Sequence, residues 1–358
     1  MKERVSHAKA QSREERRGCL LGGLASWREP LFRNRDREGA VNLVSVQLPP
    51  FVRQIIEERA EAVGFPALNR AVSAMTEAYR GGTPARLTQD ERVAAYLATR
   101  MPATYAAAHA VMREVRARLR SKPIANVLDI GAGTGAASLA ARACFPEAAI
   151  TMLERDRAFA EVARLLIPDA AFCPLSSPLP PHDLVVAAYS LGEIAEPMAT
   201  RLWQAARVAF VAIEPGSPKG FSLVRGIRDQ LLAAGARMVA PCPAESPCPM
   251  VVPDWCHFGA RVERSSIHRR VKGGELGYED EKYSYIALAR EAVELPAGRV
   301  IRRPQQHPGL IVLETCTTRG LVTERVTRRD RDAFRAARKS SWGDDWGEVS
   351  QRIDGTSS

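Results

Sequence analysis

The 358-residue sequence has no apolar run near the roughly 18–20 residues of a membrane-spanning helix, so we expect no membrane association. It also lacks a convincing signal peptide, because the apolar stretch GCLLGGLAS is short, glycine-rich and without a clear cleavage site. Both absences favour a reducing, cytoplasmic compartment. Disulfides are rare there, and clustered cysteines more often bind metal.

Acidic residues are the minority among the charged ones. There are 41 Asp and Glu against 51 Lys and Arg, a net charge of +10, which suits a polyanionic partner such as nucleic acid. Residues 261–339 contain 18 Lys and Arg against 11 Asp and Glu, so this part carries +7. The excess indicates either a phosphate-contacting surface or a solvated face rich in arginine.

Hydrophobic periodicity divides the chain into five segments, 1–48, 49–120, 121–239, 240–330 and 331–358. We expect the first to be a flexible basic extension, or upstream sequence from an early start codon, and the second a helical module. The third is predicted to bind a cofactor. The fourth is predicted to be a cysteine-stapled lobe that completes the sheet, and the last a charged tail.

From Ile124 onward, short apolar strands alternate with helical patterns, as in NVLDI followed by AASLAARACF. Such βαβ alternation predicts an α/β fold with a mainly parallel, Rossmann-like sheet covered by helices on both faces. In the helical module before it, Thr88 and Glu91 form a capping box that opens a helix. Pro102 is expected to break that helix.

The glycine loop VLDIGAGTG lies at a strand-to-helix junction, where Gly131, Gly133 and Gly135 let the backbone approach a ligand. Asp129 ends the strand before it, where methyltransferase-like folds place an acid near the amino group of S-adenosylmethionine (SAM). Glu154 ends the next strand, where a carboxylate can bind both ribose hydroxyls. We favour SAM as the cofactor, with a dinucleotide as the alternative, because the loop also fits GxGxxA.

No catalytic signature accompanies the glycine loop. The fourth strand ends in AAYSLGE, not in the Asn/Asp-Pro-Pro-aromatic sequence that grips the amino nitrogen of a base. No cysteine is placed as a nucleophile for carbon methylation of pyrimidines, and we interpret Cys144 and Cys173 as small buried residues. The sequence therefore predicts a binding fold without naming a catalytic residue.

Three of the seven cysteines lie within fifteen residues, CPAESPCPMVVPDWC, and a fourth follows in a strand-like run. Cys242, Cys248, Cys256 and Cys316 offer four thiolates, which suit tetrahedral zinc or a 4Fe-4S cluster. The spacing is not the paired CxxC of zinc ribbons, which lowers the odds of zinc. The prolines exclude a regular helix or a central strand, so the loop needs a cross-link such as a bound metal to become ordered. Free cysteines, or His257 as a replacement ligand, are the alternatives.

The segments EPGSPKGF, DWCHF and RSSIHRRVKGGELGYEDEKYSYIAL resemble the bacterial and mitochondrial small-ribosomal-subunit methyltransferase-like family. The resemblance spans residues 49–347, and its specific part is 242–288. It implies a class I SAM-methyltransferase fold and, in a bacterium, a cytoplasmic protein active in small-subunit assembly. It also implies that the four cysteines are iron–sulfur ligands and that the pocket residues are Asp129, Gly131, Gly133, Gly135 and Glu154. Oligomeric state stays open.

The resemblance further implies contact with small-subunit rRNA. The natural phosphate contacts are Arg261, Arg264, His268, Arg269, Arg270 and Lys272. The alternative is that Arg264 and Lys272 pair with Glu275, Glu279 and Asp280, which would remove them from an RNA-facing surface.

Three functions fit these observations. The first is a SAM-dependent RNA methyltransferase-like protein of the small ribosomal subunit. The second is a non-catalytic assembly factor that binds SAM and a metal cluster structurally, which the missing catalytic sequence favours. The third is a dinucleotide-dependent enzyme, which thermal stabilisation by NAD rather than SAM would support.

Overall fold

In the part of the chain that the structure describes, three helices precede the first strand: α1 (Pro50–Val63), α2 (Phe65–Tyr79) and α3 (Gln89–Arg118). The computed structural model describes residues 46–79, 86–120, 122–174, 178–193, 198–273 and 276–347. Most of segment 1–48, which we expected to be a basic extension, therefore lies outside the described residues. Glu275, considered above as an ion-pair partner, lies outside them as well. Among those residues, no helix is both long and apolar enough to cross a membrane.

Helix α3 is continuous through Pro102, so the expected break at this proline is wrong. The Thr88–Glu91 capping box is present: Thr88 Oγ1 accepts from Glu91 N and Glu91 Oε2 from Thr88 N, at 3.2 and 2.9 Å. Pro102 removes one backbone donor, but it is buried within a helix that packs against neighbours on several sides. Tertiary burial outweighs the local cost of the proline.

The helical module leads into alternating strands and helices. The strands are β1 (Asn126–Ile130), β2 (Ala149–Leu153), β3 (Ala171–Phe172), β4 (His182–Ala188), β5 (Ala206–Pro215) and β6 (Arg237–Ala240). The helices between them are α4 (Ala136–Cys144), α5 (Arg157–Leu166), α6 (Met198–Ala205) and α7 (Pro218–Ala233). The predicted βαβ alternation is confirmed.

Two strands of the following segment complete the main sheet. They are β7 (Phe258–Glu263) and β8 (Tyr278–Ala289), separated by the short helix α8 (Ser266–Lys272). The strand order is β3-β2-β1-β4-β5-β8-β6, with β8 antiparallel to β5 and β6 and with β7 on β8. An antiparallel strand inserted beside β5 distinguishes this sheet from the dinucleotide-binding order 3-2-1-4-5-6. The protein thus has the class I methyltransferase fold.

Both faces of the main sheet are buried. Val127 of β1 points into the apolar cluster shared with α1–α3, whereas Leu128 and Ile130 point into a second cluster with Phe210 and Leu202. Continuous apolar strands are what a sheet covered on both faces requires.

A second, smaller sheet follows. It comprises β9 (Gly298–Val300), β10 (Gln305–His307), β11 (Leu310–Thr317), β12 (Gly320–Thr327) and β13 (Asp345–Trp346), with helix α9 (Arg331–Lys339). Ile311, Leu313, Ala337 and Trp346 share its core. Residues 331–347, assigned above to a charged tail, therefore belong to this sheet, because α9 and Trp346 supply part of its apolar core.

Candidate cofactor pocket and four-cysteine centre

The glycine loop connects β1 to α4 through three left-handed residues. Gly131, Gly133 and Gly135 have φ values of 67°, 56° and 85°, which L side chains rarely adopt. A Cβ on Gly131 would lie 2.6 Å from Ser190 Cβ, so this position also lacks space for a side chain. The loop thus brings bare backbone to the N-terminus of α4, a geometry that suits a polar ligand.

Asp129 lies buried at the end of β1. Its Oδ2 accepts a hydrogen bond from Ser138 Oγ at 2.7 Å, which orients the carboxyl group beneath the loop. Burial raises the pKa of Asp129 to about 6, against the lowering effect of the Ser138 hydrogen bonds. A nearby ligand cation would favour its ionised form.

Glu154 follows β2 and accepts two backbone hydrogen bonds. Gly133 N donates to Oε2 at 2.7 Å and Asp156 N donates to Oε1 at 2.6 Å. The carboxylate therefore ties the glycine loop to the start of α5. Each oxygen keeps a second lone pair, so it can also accept from a ligand hydroxyl.

Helix α3 forms a wall over this loop, a role that sequence reasoning missed. Arg92 forms a 2.7 Å ion pair with Asp156, and the Tyr96 hydroxyl lies 3.6 Å from where a Cβ on Gly133 would stand. Arg100 lies 3.5 Å from Glu281 of β8. The three α3 residues are spaced by four, which places them on one helix face. That spacing was the available signal, but it does not reveal what the face contacts.

The end of β4 is held by structural contacts. Tyr189 has a φ of 57°, and its hydroxyl donates to Glu281 at 3.0 Å. Ser190 Oγ donates to Ile130 O at 2.8 Å, and Leu191 N donates to Glu214 at 3.0 Å. Burial, together with Glu281, holds the pKa of Tyr189 well above its usual range, so this phenol does not act as a base near neutrality.

All four predicted cysteine ligands line one cavity of about 60 Å³. Cys242, Cys248 and Cys256 come from the irregular segment between β6 and β7, and Cys316 comes from β11. Ser284 Oγ of β8 donates to Cys256 O at 2.8 Å, which anchors one end of the segment on the main sheet. The cavity therefore lies where the two sheets meet.

The cysteines are close enough to influence one another's ionisation. Burial raises the pKa of Cys256 well above its usual range, and Cys242, Cys248 and Cys316 raise it further. Burial and the neighbouring thiols also raise the pKa of Cys316 to about 12. Four thiolates can coexist there only beside compensating cations, and a thiophilic metal supplies that charge. The chemistry of the donor set therefore suits a thiophilic metal, but the four thiols do not stand at distances suited to one metal ion in this structure.

Two buried arginines frame the cavity. Arg228 of α7 donates to Ser246 O and Ala244 O at 2.5 and 3.3 Å, and it also interacts with Cys242. Arg299 of β9 donates to Pro241 O at 3.0 Å and pairs with Glu114 of α3 at 2.8 Å. These arginines hold the irregular segment in place and add positive charge beside the thiols.

Cys144 and Cys173 do not line the cavity. Cys144 is buried, whereas Cys173 is only half-buried. Among the described residues, no three His, Cys, Asp or Glu side chains stand at distances suited to one metal ion. His257 lies against Trp255 and Trp342, with ring centroids 5.3 and 4.9 Å apart.

The expected phosphate contacts do not form one open surface. Arg261 forms a two-point ion pair with Asp280, at 2.8 and 3.0 Å. His268 is 1% exposed and lies 3.0 Å from Glu279.

Arg264 and Lys272 also pair with Glu279, at 3.4 and 2.8 Å. Against the effect of burial, His268 and Lys272 hold the pKa of Glu279 far below its usual range. Arg269 and Arg270 are exposed, and Arg270 lies over the Phe65 ring at 4.2 Å. The alternative raised above, pairing of Arg264 and Lys272 with carboxylates, is what the structure shows at Glu279.

Several known proteins are similar to this chain. It is 28% identical over 286 residues to the human "Ribosome assembly protein METTL17, mitochondrial", covering 70% of this chain and 61% of that protein. The chain therefore spans about three fifths of the length of this human protein.

Among solved structures, a plantazolicin methyltransferase, BpumL, matches at a TM-score of 0.38 and 10% identity, covering 66% of this chain and 99% of that one. Precorrin-6y C5,15-methyltransferase from Geobacter metallireducens matches at a TM-score of 0.34 and 18% identity, and the match covers 51% of this chain and 86% of that one. These similarities are weak, and the strand order remains the evidence for the fold. The model of the family "Mitochondrial small ribosomal subunit Rsm22" matches residues 90–347, so the chain belongs to the Rsm22 family.

Proposed function

We propose that the protein is a SAM-dependent, methyltransferase-like factor that binds small-subunit rRNA and acts in assembly of the small ribosomal subunit. The observation that carries the proposal is the family match over 90–347, which contains both the glycine loop and all four cavity cysteines. The human relative is named as a ribosome assembly protein. The +10 net charge suits an RNA partner.

In this proposal SAM occupies the glycine loop. Gly131, Gly133 and Gly135 give the ligand close access to backbone, and Glu154 accepts from the ribose hydroxyls. Asp129 faces the positively charged amino group, directly or through water. SAM supplies an activated methyl group, and the chain's contribution is to orient the cofactor and the accepting nucleotide.

The four cysteines would hold a 4Fe-4S cluster. A single ordered water needs roughly 10–15 Å³, so a cavity of about 60 Å³ has room for several atoms rather than one ion. This favours the cluster over the alternative, zinc. The role of the cluster would be structural, because the cluster would join the irregular segment between β6 and β7 to β11 of the second sheet.

A second candidate is an assembly factor that binds SAM without transferring its methyl group. The end of β4 favours it, since the Tyr189 hydroxyl, Ser190 Oγ and Leu191 N all engage protein partners. In either case we place the protein in a bacterial cytoplasm, whereas the human relative is mitochondrial.

The test is association with ribosomal particles. Lysate from cells that express the full chain is separated on a sucrose gradient, and the protein is followed by immunoblot. We expect it to sediment with small-subunit precursors, and cells without it should accumulate such precursors. A protein found only at the top of the gradient, in cells with normal subunit ratios, would contradict the proposal.

A further inference from the structure

Helix α9 and the turn before it carry a dense group of cations outside the residues considered so far. We name this group the α9 basic face; it consists of Arg328, Arg329, Arg331, Arg335, Arg338 and Lys339. All six are exposed. Residues 328–339 contain six cations and two carboxylates, a net of +4 in twelve positions.

The two carboxylates are already engaged. Asp330 caps α9, accepting from Ala333 N at 2.9 Å. Asp332 lies 3.3 Å from Arg335, and both side chains are largely exposed. Within the described part of the chain, the other five cations of the α9 basic face form no ion pair. Their charge is therefore presented to solvent.

The stability of the helix does not account for this arrangement. Arg338 and Lys339 lie in the last turn, where cations are favourable. Arg331 is instead the first residue of the helix, and Arg328 and Arg329 lie in the turn just before it, at the positive end of the helix dipole, where cations are unfavourable. Asp330 and Asp332 offset part of this charge, but six cations against two carboxylates leave an excess that the stability of the helix does not require, which indicates a role outside the folded chain.

The geometry of the helix suits an extended polyanion. Arg331, Arg335 and Arg338 follow an i, i+4, i+7 spacing, and the opposite side of α9 buries Ala333 and Ala337, of which Ala337 belongs to the core of the second sheet. The three guanidinium groups therefore follow one line along the helix, about 10 Å long. Guanidinium groups bind phosphate oxygens at two points, as they also bind carboxylates, so the choice of a phosphate backbone rests on the regular line of cations and on the rRNA binding proposed above.

We propose that the α9 basic face binds the phosphate backbone of the small-subunit rRNA, and that it contributes more to RNA binding than the residues of α8. The RNA's identity rests on the proposed function; the polyanion chemistry rests on the face itself.

The test compares two matched double substitutions in the full chain, with a transcribed small-subunit rRNA as probe. Arg329→Glu with Arg331→Glu places one acid just before α9 and one at its first position, where negative charge favours the helix, so folding should be retained. Arg269→Glu with Arg270→Glu is the α8 counterpart. We expect the α9 variant to lose roughly tenfold in affinity and about 2 units of salt slope, and the α8 variant to lose less.

Circular dichroism melting checks that both variants are folded, and Arg329→Gln with Arg331→Gln should lose an intermediate amount of affinity. A folded α9 variant with the affinity and salt slope of the unsubstituted protein would overturn the inference. So would a variant that binds the rRNA normally but no longer binds small-subunit particles, because the face would then contact protein. If the unsubstituted protein does not bind the rRNA at all, the proposed function itself fails.

Discussion

The cofactor pocket and the cysteine cavity are organised by opposite means. The pocket is built from buried apolar strands and backbone hydrogen bonds. Glu154 accepts a hydrogen bond from the glycine loop, and Ser138 donates one to the buried Asp129. The cavity instead gathers three thiols from a proline-rich segment and a fourth, Cys316, from β11, and burial and neighbouring thiols raise the pKa values of Cys256 and Cys316. We therefore expect the pocket to keep its shape without its ligand, and the cavity to depend on the proposed metal centre.

The largest effect is expected from Cys248→Ser. Loss of one thiolate should release the metal and disorder the segment between β6 and β7, since structural metal binding contributes folding free energy directly. Anaerobic purification, with the visible spectrum and iron, sulfide and zinc analysis, measures the loss. A brown protein with iron and sulfide would identify a cluster, and a colourless one with zinc a tetrahedral site.

The structure narrows where that disorder should spread. β8 lies between β5 and β6 in the main sheet, so residues 278–289 should stay folded, although they belong to the 240–330 segment predicted from the sequence. Hydrogen exchange should show lost protection in the cysteine segment and in β11, with SAM binding kept. Cys173→Ser is the matched control, because Cys173 lies outside the cavity. Full metal content in Cys248→Ser would remove this residue from the ligand set.

The reciprocal experiment is Gly131→Ala. A Cβ would stand 2.6 Å from Ser190 Cβ on a backbone with φ of 67°, so the loop must shift. We expect a loss of about 1–3 kcal/mol in the free energy of unfolding and loss of SAM binding by calorimetry, with metal content unchanged. Gly226→Ala is the control, because it has open space within α7 and should stabilise by roughly 0.5–1 kcal/mol. Unchanged SAM affinity in Gly131→Ala would place the ligand elsewhere.

The pH dependence of stability tests whether the buried Asp129 carboxylate is stabilised in the pocket without a ligand. The pKa of Asp129 is raised from 3.8 to about 6 in the folded protein, so the folded state binds the proton more tightly. The stability this provides is present below pH 4 and is lost as pH rises through 6, up to about 3 kcal/mol. Asp129→Asn should remove that decline, seen as a smaller difference in unfolding free energy between pH 5 and pH 7.5. An identical pH dependence in both proteins would show that Asp129 is ionised at little cost.

The alternation of strands and helices and the position of the glycine loop were accessible from the sequence, because hydrophobic periodicity and glycine spacing encode them. The strand order, with β8 antiparallel between β5 and β6, was not, because it depends on long-range pairing. Pro102 was misjudged because burial of α3 from several sides is a tertiary effect that no local pattern shows. The phosphate-binding role predicted for residues 261–272 was overestimated for the same reason. The sequence gives the charges of Arg261 and Lys272, but it does not show that Arg261 pairs with Asp280 and Lys272 with Glu279. Charge density predicts a nucleic-acid surface only after such pairs are subtracted.

The smallest effect is expected from Arg269→Glu with Arg270→Glu on α8. Both residues are exposed, but Arg270 already lies over the Phe65 ring, so reversing it also removes a contact of about 0.5–1 kcal/mol between α8 and α2. We expect slightly lower thermal stability and a salt slope for rRNA binding reduced by about 1. An unchanged slope would remove α8 from the interface. It would leave the α9 basic face of the second sheet as the proposed RNA contact.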